Sequence, residues 1–214
     1  MLFVRDVMTT NVVTISSSTS LADAKRIIDA HRIRRIPVVD KGKLVGIITR
    51  EALDKAGPSK LTTFSIHELT YLLGTLTVKD SMVREVVTIS PSATVEQAIA
   101  LAQSRKVGAL VVIEDERVVG ITTTNDFFYK IMNPLLGIGK PGTRIDVHNC
   151  GEAAKIGEVI SIINKYGQHI INMFMMSHPD TGYADFMIHL DTPDPSKIIA
   201  ELNGRGYEVH ETPR

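Results

Sequence analysis

The sequence predicts a mixed α/β protein (α+β in its last third), built from two tandem copies of a β-α-β-β-α module and a different C-terminal unit of β-α-β-β-α-β order. Three observations support this prediction. Residues 4–53 align without a gap on residues 78–127 at a constant offset of 74. Within each copy, strand-like apolar runs alternate with a segment of helical apolar spacing. The last third matches neither copy, but it combines two helical patterns with four strand-like runs.

The internal repeat is visible residue by residue. Val13–Ser16 aligns with Val87–Ser90, and Gly46-Ile47 aligns with Gly120-Ile121. A module of about fifty residues cannot cover both faces of its own sheet. The two copies are therefore expected to pack together and share a core.

Each copy is predicted to begin with a short strand, Val12–Ile15 or Val86–Ile89, and to continue into a helix. Ser20 is the expected cap of the first helix, and Thr94 and Gln97 form a predicted capping box at the second. Two strands and a last helix complete each copy, at Ile36–Val39, Leu44–Ile48 and from Arg50, and at Leu110–Ile113, Val118–Thr122 and from Asn125.

The C-terminal unit is predicted to begin with a strand at Arg144–His148 and a helix at Lys155–Lys165. Strands follow at Ile170–Met176 and Tyr183–Leu190, and a helix begins at Asp194-Pro195 before a last strand at Tyr207–His210. This order is typical of ferredoxin-like folds. The expected domains are 1–60, 61–132 with a linker helix at Ser65–Gly74, a linker at 133–142 with two Pro and three Gly, and 143–214.

Composition narrows the function classes. The chain has 24 basic and 24 acidic residues, so neither nucleic acid nor a membrane is expected as a partner. The single cysteine, Cys150, excludes an intramolecular disulfide, and we expect a cytoplasmic protein. Histidines concentrate in the last third without helical metal-ligand spacing, so no metal site is expected.

The runs Ile36–Asp40 and Leu44–Thr49, together with Val119–Asp126, resemble the cystathionine-β-synthase (CBS) domain family. Two such domains form a disc-like Bateman module. The resemblance implies a regulatory homodimer that binds an adenosyl ligand: AMP, ADP, ATP, S-adenosylmethionine or an NAD-type dinucleotide.

The resemblance also implies site residues. Gly120, Thr123 and Asp126 match the ribose motif of the family, in which a carboxylate can accept hydrogen bonds from both ribose hydroxyls. Ala52 stands at the equivalent position of copy one, so one ribose site is expected. Asp126 can also be read as an acidic residue that simply favours a helix N-terminus.

A composite site across the two copies follows from the same resemblance. Arg34 and Arg35 are expected to bind phosphate, for which guanidinium groups are suited. They can also be read as a solvated helix end. The base is assigned to Thr88 and the backbone near Val107, with space provided by the small residues Gly108 and Ala109.

In the C-terminal unit, the spacing of Gly157 and Asn172 resembles the ACT domain family. ACT domains typically pair side by side and bind an amino acid between them, which implies a ligand site near Asn149, Gly151 and Glu152. The CBS–ACT order resembles bacterial acetoin-utilisation regulatory proteins.

The favoured hypothesis is a ligand sensor. The alternative is a ligand-free oligomerisation adaptor, with which the missing carboxylate at Ala52 is compatible. Bulky side chains filling the space beside Thr123 and Asp126 would favour the adaptor. An enzyme is the least supported class, because no acid–base pair or metal set is visible and Cys150 has no catalytic partners.

Overall fold

The computed structural model describes residues 1–56, 76–177 and 182–213 of the chain. The predicted linker helix Ser65–Gly74 lies outside these described residues. Contacts divide the chain into two compact units, Met1–Phe127 and Phe128–Arg214.

Both copies of the repeat fold as a helix followed by an antiparallel hairpin, as the sequence predicts. Short arm helices precede them, and one further helix follows each hairpin. In copy one these elements are α1 (Val4–Val7), α2 (Leu21–His31), β1 (Arg35–Asp40), β2 (Lys43–Thr49) and α3 (Arg50–Ala56); in copy two they are α4 (Val78–Ser81), β3 (Thr88–Ile89), α5 (Val95–Ser104), β4 (Ala109–Glu114), β5 (Arg117–Thr123) and α6 (Thr124–Phe127).

The first strand of each copy is shorter than predicted. In copy two only Thr88–Ile89 pairs, in parallel with β4. In copy one Ile15 makes a single parallel bridge to Val38. The shortening lies at the start of each strand, because Ile15 and Ile89, the last residues of the predicted strands, both pair. The following polar residues turn the chain toward the helix, where the Thr19 N–H donates to the Ser16 carbonyl at 3.1 Å.

The predicted helix caps are confirmed. The Ser20 hydroxyl accepts from the Asp23 N–H at 3.0 Å. In copy two the Thr94 N–H donates to the Gln97 side-chain oxygen at 2.9 Å, and the Gln97 N–H donates to the Thr94 hydroxyl at 3.2 Å. These bonds satisfy amide groups that the first helical turn leaves without partners.

The arm of each copy packs on the other copy. Val4 belongs to the core of copy two, where its N–H donates to the Ala93 carbonyl at 2.9 Å. Val78 belongs to the core of copy one, where its N–H donates to the Thr19 carbonyl at 2.8 Å. Both valines are fully buried. This reciprocal exchange of arms ties the two copies into one unit.

Two glycines make the arm exchange possible. A Cβ at Gly46 would lie 2.6 Å from Met82 Sδ and 3.0 Å from the Val83 carbonyl oxygen. At the equivalent Gly120, a Cβ would lie 2.5 Å from Met8 Sδ. In this structure the glycine of the predicted ribose motif therefore makes room for the arm.

Substitution of Gly46 by alanine should weaken the contact between arm and copy. We expect a loss of about 1–3 kcal/mol in the free energy of unfolding, because overpacking forces the neighbours to move. Denaturant titration of Gly46→Ala, Met82→Ala and the double variant measures this. The penalty of Gly46→Ala should shrink in the Met82→Ala background; strictly additive losses would contradict the proposed contact.

The C-terminal unit has the predicted β-α-β-β-α-β element order. A π-helical turn (Phe128–Met132) and α7 (Asn133–Leu135) precede the unit's main elements, which are β6 (Thr143–Val147), α8 (Ala153–Lys165), β7 (Ile170–Ser177), β8 (Ala184–Leu190), α9 (Ser196–Gly204) and β9 (Val209–Pro213). The strands form one sheet in the order β7-β8-β6-β9, and every neighbouring pair is antiparallel, which is a ferredoxin-like topology.

The segment 133–142 packs against this sheet. The Pro141 carbonyl oxygen lies 3.0 Å from Nε2 of His189, a fully buried residue of β8. Gly137, at φ +66°, sits so close that a Cβ would lie 2.3 Å from His189 Nδ1 and 2.5 Å from Asn172 Nδ2. The glycines allow segment 133–142 to approach the sheet closely and to adopt left-handed backbone conformations. This segment therefore belongs to the folded unit and is not a flexible linker.

Gly137→Ala should destabilise the C-terminal unit by about 2–4 kcal/mol, because a side chain would add left-handed strain to overpacking. Gly139→Ala is the matched control, since Gly139 also has positive φ (+79°) but nothing lies within 4 Å of its added Cβ. The control should show only the backbone strain in thermal or denaturant unfolding. Equal losses in both variants would mean that segment 133–142 does not press on His189.

Candidate functional site

A cavity of about 340 Å³ lies where the two copies of the repeat meet. It brings together five of the residues predicted from the sequence: Arg34, Arg35, Gly108, Thr123 and Asp126. Residues that sequence reasoning missed complete its wall, namely Thr9, Arg32, Ile33, Ile121, Thr124 and Asn125.

The Asp126 carboxylate is held from two sides. Its Oδ2 accepts from the Thr123 N–H at 2.9 Å and from the Thr123 hydroxyl at 2.7 Å. Its Oδ1 accepts from the Thr9 hydroxyl at 3.3 Å. Thr123 and Asp126 thus form a cap at the start of α6, and the longer bond from Thr9 is the one most readily exchanged for a ligand hydroxyl.

Thr9 reaches Asp126 through the arm exchange. The Thr9 N–H donates to the Ile121 carbonyl at 2.9 Å, and the Ile121 N–H donates back at 3.0 Å. This bridge fixes Thr9 beside the end of β5. In the sequence, the role of Thr9 is indicated only by the repeat, because the offset of 74 aligns the polar Thr9 with the apolar Val83.

Three arginines from the end of α2 and the start of β1 line the same cavity as Asp126: Arg32, Arg34 and Arg35. Arg32 ends α2 in the left-handed conformation at φ 53°, which turns the chain into the strand. Three guanidinium groups against one carboxylate make the cavity wall electropositive.

Gly108 leaves space for the side chain of Arg35. A Cβ at Gly108 would lie 2.8 Å from Arg35 Nη2. The space predicted to receive a base above Gly108 is therefore occupied by a guanidinium group. The apolar surfaces of this cavity that a base can contact belong to Ile33 and Ile121.

Thr88 and Val107 line a different concavity of about 490 Å³ on copy two. The strand order β3-β4-β5 explains their position, because β4 separates Thr88 from Thr123 at the end of β5. Ala109 begins β4 as the register partner of Thr123 and is half-buried. The structure therefore does not bring Thr88 and Val107 to the cavity of Asp126.

Copy one retains half of the equivalent cap. The Ala52 N–H donates to the Thr49 hydroxyl at 3.1 Å. Alanine supplies no carboxylate in return, and Val83 occupies the position that corresponds to Thr9. Ala52 and Val83 therefore do not reproduce the carboxylate and hydroxyl that Asp126 and Thr9 provide.

In the C-terminal unit, Asn149, Gly151 and Glu152 lie in the loop between β6 and α8. The Asn149 N–H donates to Asp185 Oδ1 at 3.0 Å, and its carbonyl accepts from Lys155 Nζ at 3.3 Å. Glu152 is exposed and forms an ion pair with Lys155 at 2.9 Å. These bonds hold the loop in one conformation.

The two residues on which the ACT resemblance rests lie in different elements, α8 and β7. Gly157 is in α8, exposed, with nothing within 4 Å of an added Cβ. Asn172 is in β7, and both of its side-chain polar atoms are buried without a hydrogen-bond partner. Gly157 is therefore not required there by close packing.

No group of three or more histidine, cysteine, aspartate or glutamate side chains in residues 1–56, 76–177 and 182–213 is arranged to hold a metal ion. None of the helices in the same described residues combines the length and apolar character of a bilayer-spanning segment.

The fold and the cavity define a class of protein in which two copies of one module share a composite cleft. The CBS domain family profile matches residues 4–58 and 74–133, which is more than half of the chain. The chain therefore belongs to the CBS domain family, with a tandem pair of the domain.

Solved structures of similar fold include a putative acetoin utilization protein (AcuB) from Vibrio cholerae, at 30% identity and TM-score 0.53, covering 64% of this chain and 95% of that one. The CBS domain pair of protein MJ0100, in complex with 5′-methylthioadenosine and S-adenosyl-L-methionine, has 28% identity and TM-score 0.52 and covers 62% of this chain and 98% of that one.

Among curated relatives, an inosine-5′-monophosphate dehydrogenase from Korarchaeum cryptofilum is 31% identical over 58% of this chain but only 23% of its own length. A second, from Methanocaldococcus jannaschii, is 30% identical over 68% of this chain and 27% of its own length. The chain thus spans about a quarter of these enzymes. The CBS domain-containing protein YhcV of Bacillus subtilis is 28% identical over 58% of this chain and 81% of its own length.

Proposed function

We propose that the CBS pair is a regulatory sensor that binds an adenosine-containing ligand in the cavity between its two copies. The observation that supports this most directly is a cavity of about 340 Å³ whose wall combines a hydrogen-bonded carboxylate, Asp126, with three arginines. A cavity of this size is suitable for a small organic ligand. The complex of the MJ0100 pair with methylthioadenosine and S-adenosylmethionine supports the ligand class.

Each wall of the cavity suits one part of such a ligand. Asp126 and Thr9 would bind the ribose hydroxyls, because a carboxylate accepts two hydrogen bonds in parallel. Ile33 and Ile121 would contact the faces of the base. Arg34 and Arg35 would bind phosphate groups as charge-assisted donors.

The three arginines outnumber the single aspartate, so the cavity should prefer ligands that carry negative charge. A phosphorylated ligand such as AMP, ADP or ATP gains attraction from the arginines that line the cavity, whereas S-adenosylmethionine brings a positive sulfonium. We therefore infer that adenine nucleotides bind more tightly here than S-adenosylmethionine or methylthioadenosine.

Regulation would follow from linkage. The cavity joins the first arm, the α2–β1 connection of copy one and the β5–α6 junction of copy two. A ligand that touches all three stabilises the arrangement in which they are close and shifts the population toward it. A ligand at a hundred times its Kd adds about 2.7 kcal/mol to the stability of the bound state.

Asp126→Asn should weaken every adenosyl ligand by about 10- to 100-fold, since a hydrogen bond to a charged group is worth about 1.5–3 kcal/mol. Arg34→Gln and Arg35→Gln should weaken ATP or AMP but leave methylthioadenosine unchanged. Calorimetric titration of these ligands, with NADH and S-adenosylmethionine included, measures both effects.

The matched control is Asp80→Asn. Asp80 caps α4 through Thr77 with the same two bonds, 2.9 Å from the N–H and 2.7 Å from the hydroxyl, and it does not line the cavity. Any loss common to Asp80→Asn and Asp126→Asn reflects capping. If no ligand binds below millimolar concentration, or if both variants lose affinity equally, the sensor proposal fails.

The adaptor alternative has less support. It would be favoured by bulky side chains filling the space beside Thr123 and Asp126, and that space is instead a cavity with polar walls. A nucleophilic role for Cys150 also has little support, because burial raises the pKa of its thiol and disfavours the thiolate.

For the C-terminal unit we propose an ACT-like regulatory domain, on the basis of its ferredoxin-like sheet order. An amino acid would bind at the loop of Asn149, Gly151 and Glu152, and the whole chain would form a homodimer. The uncharged edge strand β7, with Met173, Met175 and Met176 exposed, supports self-pairing at this edge. Light scattering of the full chain, and of a Met175→Lys variant, tests the dimer.

A further inference from the structure

Two histidines of the C-terminal unit meet at one end of the sheet. His148 follows β6, and His210 lies on the neighbouring edge strand β9. His148 Nε2 lies 3.2 Å from His210 Nδ1, and the ring centroids are 4.5 Å apart at 71°. A backbone bond from the His148 N–H to the Glu208 carbonyl, at 2.9 Å, fixes the two chain segments side by side.

Each ring has a carboxylate at its outer nitrogen. His148 Nδ1 lies 3.0 Å from Oδ2 of Asp185, whose side chain is only 5% exposed. The other oxygen of Asp185 accepts from the Asn149 N–H at 3.0 Å, so this carboxylate is fixed in place. His210 Nε2 lies 3.6 Å from Glu208 Oε1, within reach of a small side-chain rotation.

This arrangement allows the lone pairs of His148 Nε2 and His210 Nδ1 to point into the space between the two rings. With its proton on Nδ1 toward Asp185, His148 presents the lone pair of Nε2 to the space between the rings. If His210 carries its proton on Nε2, toward Glu208, its Nδ1 also presents a lone pair there. Two nitrogens bound to one tetrahedral ion at about 2.0–2.1 Å are about 3.3 Å apart, close to the observed separation.

We propose that His148 and His210 bind a divalent transition-metal ion of the zinc, copper or nickel type, and that Asp185 and Glu208 orient the two imidazoles. Imidazole nitrogen selects these ions over magnesium or calcium, which prefer oxygen ligands. Carboxylates on the outer nitrogens are a common support of metal-bound histidine. Among the described residues no third histidine, cysteine, aspartate or glutamate joins these two as a ligand, so water or a small exogenous donor would complete the coordination.

Solvent has access to this pair, since the side chains of His148 and His210 are 32% and 65% exposed. All four side chains belong to the C-terminal unit. Sequence spacing could not reveal the pair, because the two histidines are 62 residues apart and meet only through strand pairing.

The test titrates the chelator-treated full chain with Zn²⁺ by calorimetry and with Cu²⁺ by electron paramagnetic resonance. We expect one ion to bind preferentially at this site, with superhyperfine coupling of Cu²⁺ to two nitrogens. His148→Gln and His210→Gln should each lower the affinity at least tenfold and remove one nitrogen coupling, and Asp185→Asn should lower it 10- to 100-fold. His169→Gln, which changes an exposed histidine of the same unit, is the matched control and should bind as the unmodified chain does.

Unchanged affinity in His148→Gln and His210→Gln, or an equal loss in His169→Gln, would overturn the proposal. Nitrogen-15 spectra of the unmodified chain give a readout that does not depend on how the variants fold. Zn²⁺ should move the His210 proton to Nε2 while His148 keeps its proton on Nδ1. If stoichiometric Zn²⁺ leaves both imidazoles unaltered, the pair is a hydrogen bond and no metal site.

Discussion

The reciprocal exchange of arms is the constraint on which the first unit depends. Val4 and Val78 are both fully buried, each in the core of the copy to which it does not belong in sequence. Neither copy can complete its core without the arm that begins the other. This requirement explains why glycine occupies positions 46 and 120, since a Cβ would lie 2.6 Å from Met82 Sδ at Gly46 and 2.5 Å from Met8 Sδ at Gly120. The two copies therefore form a single folding unit.

The same exchange turns an internal repeat into one asymmetric cavity. A repeat with pseudo-twofold pairing offers two equivalent positions for each functional residue. In this chain the carboxylate (Asp126), the hydroxyl of the arm (Thr9) and the guanidinium groups that follow α2 all line the same cavity. Their repeat counterparts are Ala52 for Asp126, Val83 for Thr9, and Lys106, Gly108 and Ala109 for the three arginines, so only Lys106 keeps a charge. Divergence of the copies thus concentrates polar chemistry on one side, and Gly108 contributes there by admitting Arg35.

What could be predicted from the sequence is what local chemistry decides. The caps at Ser20 and Thr94 and the paired hairpins follow from side-chain type and spacing within one copy. The role of Thr9 could not be predicted, because its partner Asp126 is 117 residues away. The prediction that Thr88 lines the same cavity as Asp126 was wrong for a different reason. A constant repeat offset says which residues correspond, but it does not say which edges of the two sheets face each other.

In the C-terminal unit, too, polar side chains that are far apart in sequence are brought together by strand pairing. Antiparallel pairing of β7 with β8 places Asn172 opposite His189, and Gly137 covers both side chains. Buried polar atoms without partners cost about 1–3 kcal/mol each, so His189 Nδ1 and the Asn172 amide destabilise this face unless another contribution compensates. At the other end of β8, Asp185 is equally buried but fully engaged, by the Asn149 N–H and by His148. Asp185 thus satisfies the Asn149 N–H and orients the His148 ring with the same carboxylate, and an apolar residue at this position would leave that N–H without its acceptor.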